Sequence, residues 1–252
     1  MRQDKPINLS IVMPVFKQEK YIVANLRALE SELKKLNITY EIICVVDGFE
    51  DRTFEKAKTL KSKNVKIIGY RLNHGKGYAV RLGMTTARGN IIGYVDCGDL
   101  DYTMIPMLLE HFRWYGADAM IASKRHPVSQ LVYPWQRRLL SLGYQLGVKV
   151  LFGLNVRDTQ VGMKLFSKRL VKKVLPLLVI KEFAFDIEIL AVAHHLGFKK
   201  IFEAPVKLKL DFSNNSTIIS AGFLKTAFKM AWDTVAVFYR LRILHYYDDK
   251  NK

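Results

Sequence analysis

The sequence has little cysteine and no long apolar run, and each shortage excludes a class of protein. Only 2 of the 252 residues are cysteine, Cys44 and Cys97, and both lie at the ends of apolar runs. Buried reduced thiols are expected there rather than a disulfide. The first residues lack the apolar segment of a secretion signal, and no stretch reaches the ~18 uncharged residues that a membrane span needs. We therefore expect a cytoplasmic protein that does not cross a membrane.

Negative charge is also scarce, with 23 Asp and Glu residues against 40 Lys and Arg residues and a formal net charge of +17. Such a surplus favours polyanionic partners, which are nucleotide phosphates, nucleic acid or an anionic membrane face. The sequence contains neither the GxxxxGK[ST] phosphate loop nor the GxGxxG dinucleotide fingerprint. It also contains no known nucleic-acid-binding motif. Nucleotide phosphates and a membrane surface, but no nucleic acid, are therefore the expected partners.

Apolar runs of strand length alternate with amphipathic segments of helix length along most of the chain. This alternation predicts an α/β fold with a mostly parallel sheet and helices on both faces. Right-handed crossovers would then bring the carboxyl ends of the strands to one edge. The predicted strands are 7–16, 40–46, 65–70, 91–95, 119–123 and 204–210. The predicted helices are 18–36, 51–62, 78–87, 105–115, one starting at 134, 183–196 and 220–247.

Two of these helices have apolar arcs wide enough either to pack on the protein or to lie at a membrane interface. The arc of the helix that starts at 134 consists of Trp135, Leu139, Leu142, Leu146 and Val150. The stripe of the last helix consists of Leu224, Phe228, Ala231, Val235 and Phe238, opposite Lys225, Lys229, Asp233 and Arg240. We expect one domain over 1–219, followed by a C-terminal amphipathic helix within 220–252.

An acidic turn follows the predicted strand 91–95. It carries Asp96, Asp99 and Asp101, with Gly98 between them. Carboxylates just past a core strand stand where open α/β sheets bind ligands. Three of them within six residues repel one another unless a cation joins them, which points to a divalent metal. The alternative is a solvent-exposed acidic turn.

Other strand ends are polar as well. Asp47 could accept a hydrogen bond from a nucleobase or a ribose, or it could simply form a turn with Gly48. The loop NHGKG offers backbone N–H groups and Lys76 for phosphate binding. Arg125, in a basic cluster after 119–123, could hold a pyrophosphate or be solvated. On the predicted helix 183–196, Asp186 or Glu188 could act as a base, or both could be structural.

Taken in order, six segments resemble the family 2 glycosyltransferases and, within them, the polyprenyl-phosphate sugar transferases. The resemblance extends from Ser10 to about Thr217. The segments are IVMPVFKQE, VVDGFEDRT, NHGKGYAVRLGMTTARGNIIGYVDCGDLDY, SKRH, VRDTQVGMKLF and EAPVKLKLDFSNNST.

The resemblance implies a GT-A fold, which is a Rossmann-like sheet that binds a nucleoside-diphosphate sugar together with Mg²⁺ or Mn²⁺. Matching positions imply that Pro14, Val15 and Glu19 line the nucleotide pocket. Asp47 would contact the base or ribose, and Lys76 the base or phosphate side.

The acidic turn resembles the metal-binding Asp-x-Asp element of the family. Its one extra residue leaves open whether Asp96 and Asp99 or Asp99 and Asp101 form the working pair, and we favour Asp99 and Asp101 with Asp96 in support. By the same resemblance Arg125 faces the diphosphate. Lys164 stands where the family has arginine, which keeps the charge without the planar fork.

The implied activity is inverting sugar transfer to an acceptor at the inner face of a membrane. A lipid phosphate is already an anion and needs no strong base. It could be held by basic side chains, for which the candidates are Arg137, Arg138, Arg157, Lys164 and Lys207. A sugar hydroxyl would need a carboxylate base, for which Asp186 is the candidate. The departures from the family segments also allow a catalytically impaired protein that binds sugar nucleotides or acts as a scaffold.

Overall fold

The structure, a computed structural model, describes residues 6–98, 101–127, 129, 135–206 and 222–248. Within this part, the side chains of 135–142 and 222–228 are not described. Asp99 and Lys207 therefore lie outside the described residues, as do the predicted strand residues 207–210 and the turn 213–217.

A seven-stranded sheet forms the centre of the protein. The strands are β1 Leu9–Val15, β2 Tyr40–Asp47, β3 Val65–Tyr70, β4 Ile91–Val95, β5 Ala119–Ser123, β6 Met163–Ser167 and β7 Ile201–Pro205. Their order in the sheet is β3-β2-β1-β4-β6-β5-β7. Neighbouring strands run parallel except β6, which is antiparallel to both β4 and β5. The predicted mostly parallel sheet is thus confirmed.

Helices cover both faces of the sheet, as the alternation predicted. The helices are α1 Ile22–Lys34, α2 Thr53–Lys58, α3 Lys76–Thr86, α4 Ile105–Trp114, α5 Trp135–Phe152, α6 Lys168–Val174, α7 Phe185–His195 and α8 Gly222–Arg242. Because side chains alternate along a strand, Ile11 and Ile42 point into the core under α1 and α4, whereas Val12 and Ile43 point into the core under α3 and α7. Short 3₁₀ turns cover Tyr102–Met104 and Leu175–Leu177.

Strand β6, Met163–Ser167, is not among the strands that the sequence predicts. Its sequence, MKLFS, has Lys164 in the middle, which interrupts the apolar pattern of a buried strand. Lys164 is nevertheless fully buried, since an anionic partner described below holds it there. Helix α6 was missed as well.

The observed bounds of β7 and β1 differ from the predicted ones. β7 begins at Ile201, three residues before the predicted start. β1 covers Leu9–Val15 instead of the predicted 7–16 and contains Pro14. Pairing of β1 with β4 covers only Leu9 to Val12, so the proline lies beyond the doubly paired part of the strand, where it is tolerated.

The predicted arcs of α5 and α8 are described only in part, because the side chains of Trp135, Leu139, Leu142, Leu224 and Phe228 lie outside the described residues. Of the described members, Phe238 packs against the core, whereas Leu146, Val150, Ala231 and Val235 are exposed. α5 buries Val148 and Phe152 and leaves Leu146 and Val150 exposed. In α8 the buried residues are Thr234, Val237 and Leu241, whereas Val235 is exposed. Both helices therefore pack on the protein through one face and keep an apolar face outward. Among the helices that the structure describes, none is long and apolar enough to cross a bilayer.

Candidate active site

The candidate site lies at the edge of the sheet where the parallel strands β1, β2 and β4 end. Asp47 is the last residue of β2, and Asp96 follows β4 directly. Lys76 is the first residue of α3 and reaches the same edge. Open α/β sheets bind ligands at this carboxyl edge, so the topology brings the polar strand ends together as the sequence predicted.

Asp47 fixes the loop NHGKG. Its Oδ1 accepts the backbone N–H of His74 at 2.7 Å, and its Oδ2 accepts that of Gly75 at 3.0 Å. Gly75 has φ of +94°, and a Cβ there would lie 2.6 Å from the carbonyl oxygen of Lys181. The loop geometry therefore depends on this glycine. Asp47 thereby positions Lys76, the next residue along, and its contact with a base or ribose stays a prediction.

Lys76 bridges two carboxylates from distant parts of the chain. Its Nζ lies 2.8 Å from Oδ1 of Asp96 and 3.4 Å from Oδ2 of Asp186. Burial alone would lower the pKa of Lys76, but the negative charges of Asp186 and Asp96 outweigh it and raise the pKa above its usual value. Lys76 is therefore a permanent cation between β4 and α7.

Behind Lys76 lies a second, fully enclosed ion pair. The ammonium of Lys164 donates to Oδ1 of Asp186 and, at 2.5 Å, to the carbonyl oxygen of Val161. The hydroxyl of Tyr94 donates to the same carboxylate oxygen of Asp186. The Nζ atoms of Lys76 and Lys164 lie 5.5 Å and 5.2 Å from the Tyr94 ring centroid, within cation–π range. We call Lys76, Tyr94, Asp96, Lys164 and Asp186 the buried charge cluster.

The charges in this cluster set the proton affinity of its members. Burial raises the pKa of Asp186, but the nearby Lys164 and Lys76 outweigh burial and lower it below its usual value. The pKa of Lys164 is lowered, first by burial and also by the charge of Lys76, although Asp186 opposes this. Asp186 is only 1% exposed. A carboxylate with a lowered pKa and two cationic partners is a weak base.

Asp96 is the member of the cluster that faces outward, with 31% of its side chain exposed. Its backbone N–H donates to the carbonyl oxygen of Gly162 at 2.7 Å. A Cβ on Gly162 would lie 1.7 Å from Oδ2 of Asp96. The glycine next to β6 is therefore what allows the Asp96 carboxylate its position.

The carboxylates of the acidic turn suit a divalent metal by their chemistry, because Mg²⁺ and Mn²⁺ prefer oxygen ligands. Asp96 is accessible but paired with Lys76, and Oδ1 of Asp101 accepts the backbone N–H of Thr103 at 3.1 Å. Within the described residues, no group of three His, Cys, Asp or Glu side chains is arranged to hold a metal. Asp99 falls outside those residues, so the choice of ligand pair stays a prediction.

The predicted nucleotide pocket residues of the first loop are tied to the loop after β2. Pro14 and Val15 are buried at the end of β1. Glu19 donates its backbone N–H to Asp51 Oδ2 at 3.3 Å, and its carboxylate accepts the backbone N–H of Arg52 at 3.2 Å. These bonds place Glu19 beside the carboxyl ends of β1 and β2.

Arg125 contacts the other side of the site. Its Nη1 donates to Oε1 of Gln145 at 2.6 Å and to the carbonyl oxygen of Arg157 at 3.4 Å. A cavity of about 70 Å³ lies beside these residues. Its lining residues are Tyr144, Gln145, Val148, Val156, Arg157, Asp158, Thr159 and Gln160. Contact between Arg125 and a diphosphate stays a prediction.

Tyr94 is a site residue that the sequence did not indicate, and the sequence left open whether Asp186 or Glu188 is structural. The signal that could have identified Tyr94 is its position in a core strand, because a buried tyrosine hydroxyl commonly has a hydrogen-bond partner. Glu188 accepts the backbone N–H groups of Val179 and Ile180 and the hydroxyl of Tyr247. Glu188 is therefore structural, and of the two only Asp186 belongs to the site.

The chain matches a protein family, related sequences and solved structures. The family model described as Glycosyl transferase family 2 matches residues 10–175. The dolichyl-phosphate beta-glucosyltransferase of Drosophila melanogaster is 29% identical over 212 residues, covering 77% of this chain and 65% of that protein. The protein of the same name from Homo sapiens is 30% identical over 204 residues, covering 73% and 62%. This chain thus spans less than two thirds of the length of these relatives.

Among solved structures, the fold matches glucosyl-3-phosphoglycerate synthase from Mycobacterium tuberculosis in complex with Mn²⁺, UDP-glucose and phosphoglyceric acid. The TM-score is 0.66 at 14% identity, and the match covers 92% of this chain and 79% of that one. At this identity the likeness concerns the fold.

Proposed function

We propose, from the premise that this chain belongs to glycosyl transferase family 2, that it moves a sugar from a nucleoside-diphosphate sugar to a polyprenyl phosphate. The reaction would invert the anomeric configuration and take place at the inner, cytoplasmic face of a membrane. Two kinds of comparison support this. The relatives reported above are named dolichyl-phosphate beta-glucosyltransferases, and a protein of the same fold binds UDP-glucose and Mn²⁺.

The observation that carries the choice of acceptor is the state of Asp186. A sugar hydroxyl must lose its proton during attack and therefore needs a base. Asp186, the candidate base, is buried and held by Lys76, Lys164 and Tyr94. Its lowered pKa makes it a poor proton acceptor. A lipid phosphate brings its own negative oxygen, so this site suits it without a base.

On the donor side, the described loops would bind the nucleotide and its phosphates. Pro14, Val15 and Glu19 frame the edge where β1 ends, and Asp47 holds the loop that positions Lys76. Asp47 and Lys181 already accept the backbone N–H groups of His74, Gly75 and Tyr78. The positive end of the α3 dipole, at Lys76, still favours a phosphate. Lys76, Lys164 and Arg125 would supply positive charge to the leaving diphosphate and the incoming phosphate.

Asp96, Asp99 and Asp101 would hold a Mg²⁺ or Mn²⁺ ion. When bound, such an ion neutralises charge on the diphosphate leaving group. Lys76 keeps the Asp96 carboxylate in place through its 2.8 Å ion pair. Asp186 in turn keeps Lys76 and Lys164 apart and oriented, which makes it a positioning residue.

The test uses the full chain with a panel of nucleoside-diphosphate sugars, in Mn²⁺ or in a chelator. Thermal shift measures donor binding, and product formation is followed with a polyprenyl phosphate or a soluble sugar as acceptor. We expect metal-dependent stabilisation by one donor and transfer to the phosphate. No stabilisation by any donor would overturn the proposal, and transfer to the sugar alone would overturn the choice of acceptor.

A catalytically impaired sugar-nucleotide-binding protein or scaffold is the second candidate. Two features favour it. Lys76 forms an ion pair with Asp96, one of the proposed metal ligands, and Lys164 stands where the family resemblance implies an arginine. Donor stabilisation without transfer to either acceptor in the same assay would identify this function.

A further inference from the structure

Two neighbouring helices, α5 and α8, present large apolar side chains to the outside. On α8 these are Trp232, Val235 and Tyr239. Ile243 follows directly after the helix and continues its last turn, because its backbone N–H donates to the carbonyl oxygen of Tyr239. We call these four residues the outward stripe. Trp232 is 68% exposed and Ile243 is 58% exposed. On α5, Leu146 and Val150 are 64% and 74% exposed. A monomeric surface rarely carries so many large apolar groups close together without a partner.

The outward stripe is a second apolar face of α8, distinct from the face that packs on the domain. Its members are spaced by three and four residues and therefore share one side of the helix. The opposite side, with Thr234, Val237 and Leu241, is buried against the domain. α5 repeats this arrangement, because Val148 and Phe152 are buried while Leu146 and Val150 face out. In the part of each helix whose side chains are described, 143–152 of α5 and 229–242 of α8, there are thus two apolar faces, and the described residues of the protein cover only one of them.

The charges beside the outward faces favour one kind of binding partner for them. The two helices together contain seven Lys or Arg residues and a single acidic residue, Asp233. Lys149 and Arg242 are exposed next to the apolar groups, and Lys229, also exposed, lies 3.4 Å from the carboxylate of Glu182. Two such basic faces would repel each other, so a second copy of this chain is a poor occupant. Trp and Tyr among aliphatic residues with basic flanks are typical of helices that lie in a membrane interface.

We propose that the outer faces of α5 and α8 dock on the surface of an anionic lipid bilayer. The outward stripe would lie at the level of the lipid headgroups and upper acyl chains, and the basic residues would contact anionic headgroups. The inference rests on the proposed function only in its consequence, which is that a lipid acceptor reaches the site from this side.

Contacts within the protein connect this surface with the site. The hydroxyl groups of Tyr144 on α5 and Thr234 on α8 lie 3.3 Å apart. Nε2 of Gln160 donates to the Tyr144 hydroxyl at 3.2 Å, and Gln160 lies four residues before Lys164. α5 also lines the cavity next to Arg125. A phosphate headgroup entering beside α5 would therefore meet Arg125 and the loop that leads to the buried charge cluster.

Vesicle flotation with the full chain tests the docking surface. Vesicles of phosphatidylcholine alone are compared with vesicles that contain roughly a third phosphatidylglycerol, at low and high salt. The stripe variant combines Trp232→Ser, Val235→Ser and Tyr239→Ser. Its matched control combines Trp114→Ser and Tyr115→Ser, which are 87% and 51% exposed at the end of α4. A charge variant, Lys149→Gln with Arg242→Gln, is compared with Lys63→Gln and Lys66→Gln.

We expect the wild type and the α4 control to bind anionic vesicles and the stripe variant to bind about tenfold less, since membrane binding scales with the apolar area inserted. The charge variant should bind less at low salt, and its control should bind like the wild type. Equal binding of the stripe variant and the wild type would overturn the proposal, as would equal losses in the α4 control. A concentration-dependent dimer that the stripe substitutions abolish would overturn it in favour of self-association.

Donor binding separates this proposal from the proposed function. Thermal shift with nucleoside-diphosphate sugars should be the same in the stripe variant and the wild type, because the substituted side chains face away from the domain. If the wild type binds vesicles through the outward stripe but binds no donor, the proposed function fails and the docking surface stands. If donor binding and transfer are intact but the stripe has no effect on flotation, the reverse holds.

Discussion

At the scale of single residues, the buried charge cluster poses an energetic problem that its own composition solves. Two ammonium groups, Lys76 and Lys164, face two carboxylates, Asp96 and Asp186. An isolated buried charge costs several kcal/mol, whereas a hydrogen-bonded pair offsets much of that cost. Removal of any one charge therefore affects the others, and Asp186, which contacts both lysines, is the most sensitive position.

We predict that Asp186→Asn lowers the free energy of unfolding by about 3–5 kcal/mol, because it leaves Lys164 buried without a counter-charge. Asp101→Asn, at a partly exposed turn, is the control and should change the free energy of unfolding by less than about 1 kcal/mol. Urea unfolding measures both. A loss in Asp186→Asn no larger than that of the control would show that the carboxylate charge does not stabilise this cluster.

The same carboxylate gives the stability a pH dependence with a definite sign. The pKa of Asp186 is lower in the folded protein than its ordinary value of 3.8. Its contribution is therefore complete above the unfolded value and is lost as the pH falls through the lower folded value. The difference in stability between the wild type and Asp186→Asn should shrink when the pH is lowered below about 4. A difference that stayed constant from neutral to acid pH would contradict the assignment.

At Gly162, which lies next to Asp96, a substitution acts through steric contact rather than through charge. A Cβ there would lie 1.7 Å from the Asp96 carboxylate, so Gly162→Ala must displace Asp96 or the β6 end. We predict a loss of about 1–3 kcal/mol in stability and weaker metal-dependent stabilisation by the donor sugar nucleotide. Gly147→Ala is the control, since nothing lies within 4 Å of its added Cβ. Full donor and metal response in Gly162→Ala would show that the position of Asp96 does not matter for binding.

At the scale of elements, a strand or helix was predictable from the sequence where a long apolar run dominates it. An element whose burial depends on a distant charged partner was not. β1 and β2 were predicted because they contain the apolar runs 11–15 and 42–46, preceded by the buried polar residues Ser10 and Glu41. β6 was missed because the burial of Lys164 depends on Asp186, 22 residues away. A local pattern does not contain that partner. For the same reason the carboxyl-edge location of Asp47, Lys76 and Asp96 was predictable from topology, but their contacts with one another were not.

Glu188 shows how one long-range contact fixes an element. It binds the backbone before α7 and the hydroxyl of Tyr247 at 2.7 Å, which anchors the chain beyond α8. We predict that Tyr247→Phe costs about 1.5–3 kcal/mol, the range for a hydrogen bond to a charged group, and speeds amide exchange at 243–247. Tyr246→Phe, on an exposed neighbour, is the control. Unchanged exchange in Tyr247→Phe would show that packing alone holds this end.

At the scale of the whole molecule, the excess of positive charge has two opposite effects. A net charge of +17 attracts anionic donors, lipid phosphates and bilayers, and it destabilises the compact state through self-repulsion. Salt weakens both effects, because exposed charges more than about 10 Å apart are screened at 0.1 M ionic strength. The buried charge cluster is screened far less, so its contribution should remain.

We therefore predict that the melting temperature of the ligand-free protein rises with sodium chloride up to a few tenths molar, while its binding to anionic vesicles and to sugar nucleotides weakens over the same range. Differential scanning fluorimetry and flotation follow the two trends. Sucrose, which strengthens burial without screening charge, is the control and should raise the melting temperature without weakening vesicle binding. A melting temperature that falls with salt would mean that attractive surface ion pairs outweigh the self-repulsion. The excess of positive charge would then stabilise the ligand-free protein, and binding of anionic partners would not be needed to explain it.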